Sequence, residues 1–260
     1  MKWTIGMPSY KNFTEVFFTV QSLRMHHDLK DCEIVVVDNY GDDGLYKFIK
    51  DTGGDVVKYE RHTEVTGVSA AKNRIFDVAK GEFVLCIDSH ILIKPGALDV
   101  TPPGDDLMQG PLMKNAGGKY WITWKDEWRG NMWGIWGPEV LQLPTEPVEI
   151  WAMGAGFFSC RRDSWLGFNK HFRGFGGETC YLQEKYRKAG RKVWCDPKKV
   201  WMHMFYNQGR PITYPCNMID RVVNYILGFQ ELGMSLDPIR EHFPALFDEA
   251  AVEASRRLNG

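Results

Sequence analysis

Asp88, Ser89 and His90 stand at the end of an apolar run, within FVLCIDSHILIKP at residues 83–95. Side chains of an extended strand alternate faces, so Asp88 and His90 are expected on one side and Ser89 on the other. A carboxylate oxygen beside an imidazole nitrogen suits a borderline divalent cation such as Mn2+. A strand end entering solvent carries the same residue types, so the pair alone does not decide. Two more polar clusters end strand-like runs: Ser9-Tyr10 after KWTIGMP and Asp38-Asn39 after CEIVVV. Further on, His203 sits in the apolar run CDPKKVWMHMF, and Gly176-Gly177-Glu178 precedes a helix-like segment. Taken singly, His203 reads as a core histidine, Asp38 as a turn residue, and Glu178 as an acid in a first helical turn, where the helix dipole favours it.

The surrounding pattern supplies elements that could bring these residues together. KWTIGMPSY reads as a short strand, and FTEVFFTVQSLRMHH as a helix with Val16, Val20 and Leu23 on one face. CEIVVVD is a strand apolar enough to be buried on both faces. DVVKYE follows as a strand after a short helix, and SAAKNRIFDVA as a helix stopped near Gly81. FVLCID completes the series. This alternation predicts an α/β fold: a mostly parallel, Rossmann-like central sheet with helices on both faces. Ligands of such sheets bind at the carboxyl ends of the strands, where all three polar clusters fall. In the second half, GPLMKN and GFFSC read as strands, and five tryptophans between Trp121 and Trp136 read as a long loop or flap. Those tryptophans serve either as core beneath the loop or as a surface on which a sugar stacks. From Asn217 the chain reads as helical, with a break at Asp237-Pro238.

Composition narrows the function classes. The 260 residues carry 32 basic and 33 acidic side chains, so no global field recruits nucleic acid or anionic lipid. A nucleic-acid substrate is therefore unsupported by charge, though a local basic surface is compatible with one. Six scattered cysteines without a C-x-x-C pair fit reduced thiols, and no apolar run reaches membrane-spanning length. A cytoplasmic enzyme without a membrane partner is the expectation.

In order and spacing, CIDSHI, MGAGFFSCRRDSW, FGGETCYLQEKYRKAG and WMHMF resemble a GT-A glycosyltransferase. So does the run from Gly67 through Lys72 to Gly81. The resemblance is strongest to the catalytic domain of the polypeptide N-acetylgalactosaminyltransferases and their bacterial and viral relatives. It implies a catalytic domain over residues 1–215, with residues 216–260 as a helical C-terminal extension packed on it. It implies that Asp88, His90 and His203 bind Mn2+, the donor's diphosphate completing the shell. Asp38 would hold the uracil of a UDP-sugar, with Ser9, Tyr10 and Ser89 in the same donor site. Lys72 would stand near the donor, where the family usually has arginine. Gly154, Ala155 and Gly156 would line the donor sugar, and Glu178, brought close by Gly177, would bond its hydroxyls.

This chain also departs from the family pattern. Phe175 replaces a tryptophan, and Thr179 stands where a carboxylate or amide often follows the glutamate. Tyr206 and Asn207 occupy positions of diphosphate-gripping basic residues, leaving Arg210 as the nearest cation. The resemblance implies a retaining transfer of a hexose or N-acetylhexosamine from a UDP-sugar to a hydroxyl acceptor, with Glu178 and Asp88 as the catalytic residues. The acceptor is a protein, a glycan or a modified nucleobase. Two alternatives stay open: an inverting enzyme with Glu178 as base, and a non-catalytic nucleotide-sugar or carbohydrate-binding module. No membrane anchor or lectin domain is expected.

Overall fold

Cys32–Asp38 folds as the sequence dictates, into a strand buried at every position. Its neighbours follow the same logic in a computed structural model that describes residues 1–114, 118–205 and 212–259. The first half runs β1 (Trp3–Ser9), α1 (Phe13–His26), β2 (Cys32–Asp38), α2 (Asp43–Thr52), β3 (Val57–Arg61), α3 (Val68–Val78) and β4 (Phe83–Ile87). Then come β5 (Ile91–Ile93), β6 (Leu107–Gln109), β7 (Leu112–Lys114), β8 (Lys119–Trp121), β9 (Trp124–Arg129), β10 (Met132–Trp136), β11 (Val148–Glu149) and β12 (Phe157–Arg161). The chain closes with α4 (Thr179–Lys188), β13 (Val193–Cys195), β14 (Trp201–His203), α5 (Met218–Glu231), α6 (Asp237–His242) and α7 (Phe247–Asn259).

An eight-stranded sheet in the order β11-β13-β6-β12-β4-β1-β2-β3 forms the centre. The half built from the βα alternation, β4-β1-β2-β3, is wholly parallel, whereas β12 inserts antiparallel between β4 and β6. A smaller sheet, β5-β14-β7-β8, lies beyond the end of β4, and β14 pairs with β5 so that His203 faces Ile91. The chain carries an α/β fold with a large, mostly parallel central sheet, as expected.

One expectation changes. The tryptophan-rich stretch is an antiparallel hairpin, β9 with β10, rather than a loop; a register shift between Trp133 and Ile135 hides its strand periodicity. The C-terminal helices pack on the rest of the chain. Every residue of α5 from Arg221 to Phe229 is buried, and a single hydrophobic core runs from Trp3 through Phe229 to Ala254. Asp237-Pro238 begins α6, as proline in a first helical turn does, and the chain breaks on either side of that short helix.

Helix α3 is held close to the sheet at one point. A Cβ on Gly6 of β1 would lie 2.0 Å from Ile75 Cγ2, a separation that close packing forbids. Gly6→Ala is therefore expected to destabilise the fold by about 1–3 kcal/mol, read as a lower denaturant midpoint. In an Ile75→Ala background the same substitution should cost less, a non-additivity that reports their contact. A midpoint that stays put in Gly6→Ala would contradict this packing of α3 on β1.

Candidate functional site

Strand β4 ends at Ile87, so Asp88, Ser89 and His90 occupy the turn into β5 rather than the strand itself. The expected strand alternation does not govern them, yet Asp88 and His90 still converge. The backbone N–H of Asp88 donates to Gly156 O at 2.8 Å, fixing the turn against β12. A side chain at 156 would meet the Asp88 carboxylate at 2.8 Å, so this glycine makes room for the acid. Pairing of β14 with β5 then carries His203 across 113 residues of sequence to the same place. His90 Nε2 and His203 Nε2 are 3.1 Å apart, and Asp88 Oδ2 lies 3.8 Å and 3.5 Å from them. These three residues form the metal-capable group found among the described residues, all ligand atoms within 4.8 Å of one another. Ligands about 2.1 Å from an ion at right angles would be about 3 Å apart, so an N2O set with this spacing fits one divalent cation.

Lys72 sits behind the triad rather than in the cleft. Its side chain is only 2% exposed, and its ammonium donates to Ala155 O at 2.7 Å and pairs with Asp88 Oδ1 at 3.1 Å. Burial alone would push the Asp88 carboxyl up, but the Lys72 ammonium and the two imidazoles hold it well below the usual carboxylate range. Burial likewise disfavours the ammonium, and the charges of Asp88 and Glu178 keep it protonated. Lys72 thus positions Asp88, and any effect on a donor passes through that carboxylate.

Ser9 and Ser89, both buried, belong to one relay. Ser9 Oγ donates to Asn12 Oδ1 at 2.8 Å, the Tyr10 N–H donates to the same oxygen at 2.8 Å, and Asn12 Nδ2 donates to Ser89 Oγ. Asn12 stands at the N-cap of α1 but makes no side-chain cap bond, because its amide ties β1 to the metal-side turn instead. Sequence reading missed Asn12; its place three residues after Ser9, just before a helix, was the available signal. Of this group Tyr10 alone has an incompletely buried side chain, its ring stacked on Tyr214 with centroids 4.8 Å apart.

Asp38 is fully buried, and its carboxylate accepts from Tyr40 N at 2.9 Å, Gly41 N at 3.0 Å, Asp42 N, and Tyr59 Oη at 2.7 Å. A carboxylate offers about four acceptor positions, so all of them are in use. The uracil contact implied by the family pattern needs one of these bonds to give way. As found, Asp38 shapes the 39–42 turn that walls the cleft. Asn39 does similar work for the 62–67 segment, donating to His62 O and Val65 O and accepting from Gly67 N.

Glu178 comes to the site on a strained turn. Gly176 and Gly177 have φ of +105° and +90°, the region glycine tolerates, and side chains there would collide with Arg221 and Asn224 of α5. Asn224 clamps the turn by donating to Arg173 O and Gly176 O at 2.8 Å each. Glu178 is 5% exposed, makes no cap bond to α4, and leaves Oε2 without a protein partner. A buried carboxylate oxygen with an open lone pair suits a hydroxyl-bearing ligand. Gly154 is partly exposed, while Ala155 and Gly156 are buried and serve Lys72 and Asp88. Arg210 lies outside the described residues, as do Tyr206 and Asn207.

The tryptophans divide between core and cleft. Trp124 and Trp133 are buried, and Trp128 packs among Tyr225, Phe229 and Phe243. Trp121 and Trp136 are partly exposed, 4.8 Å apart, and Trp136 meets Phe205, whose ring lies 4.4 Å from His203. An aromatic edge therefore adjoins the metal-capable triad.

Comparison with known proteins bears on the fold that carries this geometry. Residues 4–101 match glycosyl transferase family 2, a span that includes Asp38, Lys72, Asp88 and His90 but neither Glu178 nor His203. No curated protein matches the sequence. GalNAc-T7, solved with UDP, GalNAc and Mn2+, shares the fold with a TM-score of 0.70 at 15% identity; the match covers 99% of this chain and 57% of that one. TarS 1–349 of S. aureus matches with a TM-score of 0.56 at 15% identity over 98% of this chain and 73% of its own. The mannosyltransferase PcManGT of Pyrobaculum calidifontis, in complex with GDP-Man and Mn2+, matches with a TM-score of 0.56 at 15% identity over 96% and 73%. This chain thus spans little more than half the length of GalNAc-T7. At these identities the likeness shows the fold, which is the GT-A fold of these structures, and the match to the family model is confined to residues 4–101.

Proposed function

We propose that the chain transfers a sugar from a UDP-sugar to a hydroxyl acceptor, with a divalent cation such as Mn2+ bound by Asp88, His90 and His203. The observation that carries the reading is the convergence of that triad, with a buried Glu178 that has an open oxygen and lies near enough for its charge to act on Lys72. GalNAc-T7 was solved with UDP, GalNAc and Mn2+, and TarS 1–349 with UDP-GlcNAc, which supports the choice of donor; the GDP-Man complex of the third structure makes the base an open test. When bound, the ion supplies Lewis-acid neutralisation of the leaving diphosphate.

The residues of the chain do the rest. The bond from the anomeric carbon to the diphosphate oxygen breaks, the acceptor oxygen bonds to that carbon, and the acceptor proton passes to the departing phosphate. Lys72 keeps Asp88 ionised throughout. Glu178 orients the donor sugar through its hydroxyls, while Trp121, Trp136 and Phe205 form an apolar wall toward the acceptor. On this reading Glu178 is an orienting carboxylate and the product retains the α linkage. The open Oε2 would equally serve a proton-abstracting base, which defines the inverting alternative.

His203→Ala removes one of three ligands and is expected to weaken Mn2+ binding, measured calorimetrically with UDP present, by at least tenfold, the lower end of what even outer-shell partners contribute. Unchanged affinity would remove His203 from the site.

Glu178→Gln separates the two mechanisms. An amide still bonds hydroxyls, so a retaining enzyme should keep measurable transfer and give an α-linked product. Loss of a general base would lower turnover by about 10²–10⁴-fold and accompany a β-linked wild-type product. The anomeric proton coupling in NMR of the wild-type product decides. A UDP-sugar screen that shows neither transfer nor hydrolysis, with UDP still bound, would favour the binding-module alternative.

A further inference from the structure

Among the buried side-chain hydroxyls of the described residues, that of Tyr214 alone has no hydrogen-bond partner. Buried O–H groups in native proteins are almost always paired, so an exception at a cleft asks for an acceptor from outside the chain. The hydroxyl's position narrows the choice. The Tyr214 ring stacks on Tyr10 at 30° with centroids 4.8 Å apart, and Tyr10 follows β1. In the sheet β1 lies between β4, whose end leads to Asp88, and β2, which ends in Asp38. Tyr214 therefore stands at the midpoint between the metal side and the turn shaped by Asp38.

Neither carboxylate serves it. Asp38 has all its acceptor positions filled, and Asp88 faces Lys72 and the two imidazoles. Both are near enough for their charge to act on the phenol. After burial itself, the negative charges of Asp88 and Asp38, then Tyr10, oppose its ionisation. The group stays an O–H donor, and a buried O–H with no acceptor in the chain can serve an oxygen acceptor from a ligand, most strongly a charged one.

We propose that the Tyr214 hydroxyl donates a hydrogen bond to a phosphate oxygen of the nucleoside diphosphate. This rests on the donor-site reading above. It makes Tyr214 a neutral phosphate contact, placed where the diphosphate must pass between the base and the metal-capable triad. The ring contributes separately, through its stack on Tyr10.

The two contributions separate by substitution. Calorimetry with the full chain and saturating Mn2+ would compare UDP and uridine on the wild type, Tyr214→Phe and Tyr214→Leu. Phenylalanine keeps the stack and removes only the O–H, so UDP affinity should fall about tenfold or more while uridine affinity stays within about twofold. Leucine removes both, and uridine binding should weaken as well. Unchanged UDP affinity in Tyr214→Phe overturns the proposal while leaving the donor site standing. Equal losses for UDP and uridine overturn it in favour of a wall role, and tighter UDP binding overturns it in favour of a plug. A wild-type chain that binds no nucleoside diphosphate defeats the donor-site reading itself, an outcome visible before any variant is measured.

Discussion

The pairing of Lys72 with Asp88 is the interaction on which the rest of the site depends. Three pieces of chain meet there: α3 brings the ammonium, the end of β4 brings the carboxylate, and Ala155 before β12 supplies a carbonyl. A buried lysine is strongly unfavourable unless its charge is met, and two partners meet it here. The pair also decides how Asp88 behaves. A half-shielded carboxylate beside two imidazoles would tend to share a proton with them, whereas the ammonium keeps it an anion and so a metal ligand. Gly156 and the close contact of Gly6 with Ile75 are preconditions of that geometry, since either side chain would move one half of the pair.

With Asp88 already paired with Lys72, the triad offers a cation two imidazoles and one compensated carboxylate. Such a set holds a divalent ion weakly by itself and more firmly when an anionic diphosphate shares it, because each then offsets the other's charge. The buried atoms left without partners point the same way. They include Glu178 Oε2, Tyr214 Oη, Arg221 Nε behind the Gly176 turn, and Trp124 Nε1, whose ring lies beside Gly154. A protein interior seldom leaves several polar atoms unpaired in one region.

Much of this was legible in the sequence. The parallel half of the sheet follows from βα alternation with fully apolar strands, and the metal-capable triad from Asp88-Ser89-His90 plus a histidine in WMHMF. What the sequence hid was what each side chain is spent on. Ser9, Ser89 and Lys72 are chemically apt for a donor, but each is buried and committed to a neighbour, through Asn12 in the case of the serines. Asp38 looks like an acceptor waiting for a base, and only the backbone path of residues 40–42 and the approach of Tyr59 reveal its four bonds. The hairpin at 124–136 escaped because a bulge breaks the alternation and tryptophan serves core and surface alike. Periodicity records which face is buried; it does not record hydrogen-bond partners distant in sequence.

The C-terminal helices bear on the site more than their position in the chain suggests. Residues 4–101 carry two of the three metal-capable ligands, but Glu178 depends on a turn that Arg221 and Asn224 occupy from behind. Tyr225 accepts from Trp133 N and donates to Asn131 O, so the same helix that backs Glu178 also fixes the tip of the β9–β10 hairpin. Trp136, which ends that hairpin, forms the aromatic edge beside His203 through Phe205. One buried helix therefore backs both the Glu178 turn and the hairpin that carries the aromatic edge beside His203. A helix buried over nine consecutive residues cannot shift by part of a turn without opening voids, so the two sides of the cleft are held in a fixed relation.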